Sequence, residues 1–267
     1  MLRNMKDLQG YSLQATDGII GDIRDLYFDD QSWVVRYLIV DTGTWLSGRQ
    51  VLVSPIAITG SLAAGKVFLS TLTREQVKNS PDIDTDKPVS RQHEVQYLAY
   101  YGHPRYWEGV GFASGIYPSW LTGFGSRKNA VETSWSLPGD TPREDQINRE
   151  ANANPHLRSC NAVLHYHVHA RDGEIGHVHG LLVDEETWSV RYMIVNTSAW
   201  WLGHELLIAP PWIRNVSWPD RAVTVDLGRE TLKTAPPYDS SVPLEAELEL
   251  RIFEHYGREL LCAGAKV

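Results

Sequence analysis

The sequence predicts a mainly β protein made of two tandem small barrels, each followed by a helix. Three observations predict it: a long internal repeat, short alternating apolar runs joined at Asp-Gly turns, and a helix signal behind each set of runs. The repeat is decisive, because self-similarity over this length assigns both halves to one architecture. The segment DGIIGDIRDLYFDDQSWVVRYLIVDTGTWLSGRQVLVSPIAI, starting at Asp17, realigns without a gap on DGEIGHVHGLLVDEETWSVRYMIVNTSAWWLGHELLIAPPWI, an offset of 155 residues (Asp17 to Asp172). The same offset pairs Trp33 with Trp188, Arg36 with Arg191, Tyr37 with Tyr192 and Pro55 with Pro210. It reaches back to Leu2-Arg3 against Leu157-Arg158 and forward to Tyr101-Gly102 against Tyr256-Gly257. The expected organisation is a first module over 1–102, a connection over 103–156, and a second module over 157–267.

Each element has a local reason. Tyr11, Leu13 and Ala15 alternate before an Asp-Gly pair and a second extended run, a strong short-range hairpin signal, and Tyr166, Val168 and Ala170 repeat it. In the run 33–40, Val35, Tyr37 and Ile39 fall on one face by the period-two rule and Arg36, Leu38 and Val40 on the other. The runs at 51–53 and 67–69 bring the count to five or six strands, which fits a small closed or nearly closed barrel. Behind the barrel, Ser90 can cap a helix over 91–101 that stops at Gly102, and Pro243 opens a segment ending at Gly257. These helices are expected to cover a barrel mouth or edge. The connection begins with aromatic residues (Tyr106, Trp107, Phe112, Tyr117, Trp120, Phe124) suited to lying against a barrel, then turns polar and is expected to be mobile.

Composition narrows function. The net charge of −8 repels a phosphate backbone, and without a dense Lys/Arg run nucleic acid is a poor partner. No stretch approaches the ~18 apolar residues of a membrane span, and the start MLRNMKDLQGYSL has no apolar signal segment, so a soluble cytoplasmic protein is expected. Cys160 and Cys262 lack metal-motif spacing and read as reduced thiols.

The two copies of G-x-x-I/V after Asp-Gly, of Trp-x-Val-Arg-Tyr-x-Ile-Val (Trp33, Trp188) and of Gly48…Pro55 (Gly203…Pro210) resemble the PRC-barrel family. That family includes the cytoplasmic domain of the photosynthetic reaction-centre H subunit and the C-terminal domain of the ribosome-maturation factor RimM. The resemblance covers roughly 5–80 and 160–235 and implies two tandem PRC-type barrels acting as docking or assembly modules without catalysis. It implies a protein partner or a homodimer, with a RimM-like role in RNA or ribosome maturation as the alternative.

No phosphate loop, G-x-S-x-G or H-E-x-x-H motif occurs, so neither a cofactor nor an enzymatic activity is expected. Asp29-Asp30 and Asp184-Glu185-Glu186 read as turn residues. His165, His167 and His169 alternate on one strand of the second hairpin, and His177 and His179 on its partner. They could share one face and hold a zinc, nickel or copper ion. The aligned residues of the first copy, Gly10, Ser12, Gln14, Asp22 and Arg24, are a solvated face with no ligand set, and polar residues on the outer face of a half-buried hairpin need no further explanation, so no metal ligand is assigned. Arg36 and Arg191 sit in otherwise apolar strands, where a charge must be paired or must snorkel. A barrel buries one strand face only, so Arg36, Leu38 and Val40, with Arg191, Met193 and Val195, are expected to form a module–module or subunit interface unless a trailing helix covers them.

Overall fold

The computed structural model describes residues 1–62, 65–81, 89, 91–106, 156–197 and 203–257. In chain order the first repeat holds β1 (Leu2–Asn4), α1 (Met5–Leu8), β2 (Ser12–Ala15), β3 (Gly18–Asp29), β4 (Val34–Asp41), β5 (Gln50–Val53), β6 (Ile58–Leu62), β7 (Val67–Ser70), α2 (Arg74–Lys78) and α3 (Arg91–Tyr101). The second holds β8 (Leu157–Ser159), α4 (Cys160–Val163), β9 (His167–Ala170), β10 (Gly173–Asp184), β11 (Val190–Thr197), β12 (Glu205–Ile208), β13 (Ile213–Ser217), β14 (Ala222–Val225), α5 (Arg229–Lys233) and α6 (Ala246–His255). Helix α3 spans the expected residues, whereas α6 begins after Pro243. Most of the aromatic and polar connection, and Cys262, lie outside the described residues.

The protein is mainly β, with one sheet per compact unit. One sheet runs β5-β4-β3-β2-β7-β6 and the other β12-β11-β10-β9-β14-β13. Within each, β2 pairs in parallel with β7 and β9 with β14, while the other ladders are antiparallel. These sheets are not closed barrels, which corrects the expected closure. The path ends, β5 and β6, are consecutive in the chain and joined by a 3-10 turn, Pro55–Ala57. The backbone there is committed elsewhere: Ser54 N donates to Tyr97 Oη at 2.8 Å and Thr71 N to Ala57 O at 2.9 Å. Proline adds no donor, so no ladder forms between the ends.

Neither unit is one continuous repeat. The N-terminal unit is Leu8–Ser159 with Glu186–Ser189, and the C-terminal unit is Met1–Asp7, Cys160–Glu185 and Val190–Val267. The first strand of each repeat is thus exchanged. Strand β1 lies on β10, with Leu2 opposite Asp184 and Asn4 opposite Leu182, while β8 lies on β3, with Leu157 opposite Asp29 and Ser159 opposite Tyr27. Each exchanged arginine meets an acid at the repeat offset: Arg3 Nε donates to Glu185 at 2.7 Å and Arg158 Nε to Asp30 at 3.0 Å. Asp29 serves its own turn, accepting from Gln31 N and Ser32 N. The acidic pairs therefore divide between turn duty and strand docking. The unit boundaries do not coincide with the repeat boundaries.

Register pairing identifies the sheet interior. Leu38 sits between Leu26 and Val53, and Val40 between Ile23 and Val51, all at most 1% exposed. In the C-terminal unit Met193 lies between Leu181 and Ile208, and Val195 between Val178 and Leu206, none more than 3% exposed. Burying each such side chain contributes about 1.5–3 kcal/mol, so these rows hold the sheets together. The opposite face of β4 is covered by α3: Tyr37, Ile39 and Leu52 cluster with Val89, Tyr97, Leu98 and Leu157. The expected faces are therefore reversed. The row read as barrel interior packs under the helix, and the row read as outward is the core.

Candidate functional site

Two side-chain clusters stand out on this frame. The first lies under α3. A β-bulge between Tyr27 and Phe28 leaves Arg36 as the extra residue between Val35 and Tyr37, and such bulges re-aim side chains. The Arg36 guanidinium stacks 4.2 Å from the centre of the Tyr106 ring and donates to Ser32 Oγ at 2.9 Å. Beside it, fully buried Glu94 from α3 accepts from Tyr37 Oη at 3.1 Å and Tyr106 Oη at 2.7 Å. Tyr97 meets Tyr37 edge-on, with ring centres 5.3 Å apart. A buried carboxylate requires such donors, because desolvating it without them costs several kcal/mol. Burial pushes the Tyr37 hydroxyl well above its usual range, with the Glu94 charge adding to the shift, and burial does the same to Tyr97. The cavity left between Arg36, Tyr37, Leu98 and Tyr106 measures about 10 Å³, room for one water molecule at most.

The second repeat rebuilds this clasp. Tyr192 Oη donates to Glu249 on α6, and Arg191 Nη2 lies 3.5 Å from the same carboxylate. Glu94 and Glu249 share the repeat offset. Sequence reasoning passed over them because each stands in a helix that reads as generic cover. The repeat alignment runs through both helices and pairs the two glutamates, so comparing the helices position by position exposes them. Arg191 is thus a paired structural arginine, and Arg36 is held by stacking and a hydroxyl.

The raised tyrosine pKa values carry a pH prediction. A group whose folded pKa exceeds its unfolded value supplies stability below the unfolded pKa and loses it as pH rises towards the folded one. Stability should therefore fall above pH ~10, and Tyr37→Phe should flatten that fall. Absorbance at 295 nm against pH, run beside a circular-dichroism titration, checks it. Two or more hydroxyls should ionise only together with unfolding.

The residues expected at an interface have other surroundings. Leu38, Val40, Met193 and Val195 are 0% exposed, so a second chain finds no surface of theirs to cover, and the subunit-contact version is corrected by their place in the sheet interior. Leu38→Glu and Met193→Glu should each cost at least ~3 kcal/mol by burying an unpaired charge, as a denaturant melt would show.

The second cluster is the histidine hairpin. His167 and His177 face each other across β9 and β10, and His169 faces Glu174. The His165 and His177 ring centres are 6.1 Å apart. His167 Nδ1 lies 2.8 Å from Glu174 and His179 Nε2 3.6 Å from Glu205. His179 falls in the bulge between Val178 and Gly180. Partial burial, with His165, His179 and His167 nearby, holds the His177 imidazole below its usual pKa. Among the described residues, no group of three or more His, Cys, Asp or Glu side chains is placed so that it could hold a metal ion. The first repeat has instead a Ser12–Asp22 hydrogen bond of 2.8 Å at the equivalent place.

The PRC-barrel domain model matches residues 3–67, from β1 to the first residue of β7. Residues 3–67 are thus similar to a PRC-barrel domain. A protein of Deinococcus radiodurans described as uncharacterized is 33% identical over 73 residues, which is 27% of this chain and 26% of that protein. The chain therefore spans about a quarter of that relative's length. The PRC-barrel match includes β1, which lies on the other repeat's sheet. No helix among the described residues is long and apolar enough to cross a membrane.

Proposed function

We propose that this chain is a non-catalytic docking protein of the cytoplasm in which two PRC-type barrels present different outer surfaces to a protein partner. One observation carries the reading. The two repeats share strand order, exchanged strands and the Tyr–Glu clasp, yet the outer face of the first hairpin differs in every position compared: Gly10, Ser12, Gln14, Asp22 and Arg24 against five histidines. Interior chemistry is repeated while surface chemistry diverges, the pattern of a scaffold whose outer faces do separate jobs. The PRC-barrel match supports a docking role through the assembly function of that family, although fold alone does not assign function.

The test uses the full-length chain, tagged in its own cells and cross-linked before purification. The expected result is one protein partner that recovers the chain in the reciprocal experiment. Ile19, 60% exposed near the hairpin turn, is the first surface residue to alter, and Ile19→Glu should weaken that recovery. Substrate turnover abolished by a single substitution would overturn the proposal in favour of an enzyme. RNA affinity that falls steeply with salt would overturn it in favour of a RimM-like role.

A further inference from the structure

We propose that the free edge of β6 pairs antiparallel with the same edge of a second copy of this chain, about a two-fold axis at Ser61. Strand β6 ends its sheet path, so the N–H and C=O groups along its outer side have no ladder partner among the described residues. Such a row is a template for another strand. The opposite end of the path is shielded: Val51, Leu52 and Val53 of β5 are buried, and the Ser54 N–H that follows them is taken by Tyr97. Along β6, by contrast, Thr59, Gly60, Ser61 and Leu62 are all exposed.

The chemistry of this edge selects a second copy as its occupant. The chain carries a net charge of −8, which makes most of its surface repel a copy of itself. Edge strands commonly carry a charge that blocks self-pairing, and β13 does, with exposed Arg214 at the place of Thr59. No residue of β6 is charged. A two-fold at Ser61 sets Ser61 against its own copy and Leu62 against Gly60 of the other copy, twice over, as an isologous contact requires. Leu62 is 53% exposed, and a Cβ on Gly60 would meet nothing within 4 Å, so each leucine finds open space above the other copy's glycine. Beneath them lie Val67 and Leu69, the ladder partners of Leu62 and Gly60. The second repeat has Ser217 and Asn215 on its edge, opposite Ala222 and Thr224, so the apolar self-match belongs to the first repeat alone.

The new ladder is short. A bulge between Ile58 and Gly60 leaves Thr59 as the extra residue and turns Ile58 to the other face, so pairing runs over Gly60, Ser61 and Leu62. Ladders of this length already attach strands in this fold, as β1 lies on β10 and β8 on β3 through three residue pairs each. An interface of this size gives reversible, concentration-dependent association.

The experiment is sedimentation equilibrium of the full-length chain, loaded up to on the order of 200 µM to reach weak association. The expected result is a mass that rises with concentration from 30.2 kDa towards twice that value. The double variant Thr59→Arg with Leu62→Ser carries the second repeat's own residues at exposed positions, so it should fold as the parent does by circular dichroism. Its self-association should weaken at least ~10-fold, since both Leu62 contacts are lost and a charge enters the edge. Ile19→Glu lies on β3, away from this edge, and should associate within threefold of the parent. A parent that stays at 30.2 kDa throughout, or a double variant that associates within threefold of it, overturns the pairing. Dissociation by Ile19→Glu overturns it too, moving the contact to the β3 surface. A monomeric parent that still recovers a separate protein overturns self-pairing and leaves the docking proposal standing.

Discussion

Gly21→Ala should destabilise the protein by about 3 kcal/mol or more, and Gly176→Ala should match it. A Cβ on Gly21 would stand 1.9 Å from Asp41 O and 2.7 Å from Asp41 C, and one on Gly176 would stand 2.0 Å from Asn196 O. These obstacles are main-chain atoms of the neighbouring strand, so no rotamer change relieves them. Either β3 and β4 part, or the ladder shifts and turns Ile23 and Val40 out of the core, since a one-residue slip inverts every face. Gly60→Ala is the control, because an added Cβ there meets nothing within 4 Å and should change stability by less than ~0.5 kcal/mol. Chemical denaturation of the three variants ranks them directly.

Glu94→Ala should be nearly as damaging, at roughly 3 kcal/mol. It removes the acceptor of Tyr37 and Tyr106 at a fully buried position, and a buried donor left unmade loses its hydration without compensation. Glu94→Gln keeps an oxygen acceptor and should recover more than half of the loss. Glu249→Ala should cost less than Glu94→Ala, because the Glu249 side chain retains 19% exposure and solvent can replace part of the bond. Hydrogen exchange over 91–101 would show whether α3 loosens first, as expected if the clasp is what seats it.

The sequence made the repeat and its local elements legible. Both hairpins form at Asp17-Gly18 and Asp172-Gly173, because turn chemistry acts within a few residues, and α3 covers the expected residues. Face assignment on β4 was not legible. Both rows of that strand are apolar, so period-two alternation divides them without saying which is inside, and a buried Glu94 reaching Tyr37 settles it from a distant helix. Strand exchange was equally hidden. Leu2-Arg3 and Leu157-Arg158 offer the same side chains to edges bearing Glu185 and Asp30, so either strand suits either sheet by local chemistry. The histidines were visible in the sequence as alternating positions, whereas the Glu174 contact that orients His167 depends on the bulge after Glu174.

The exchanged strands also set a timetable for synthesis. Asn4 leaves the ribosome ahead of its ladder partner Leu182, which follows roughly 180 residues later, a wait of about 10–35 s at ~5–20 residues per second. Through that interval the first strand lacks the sheet it finally joins, and the β3 edge stays open to it until Leu157–Ser159 arrive. Neighbouring ribosomes on one message then hold chains whose unpaired leading strands and open edges are chemically matched. Speed of translation through 103–156 thus becomes a determinant of yield, and slowing it should raise the fraction of chains that emerge entangled.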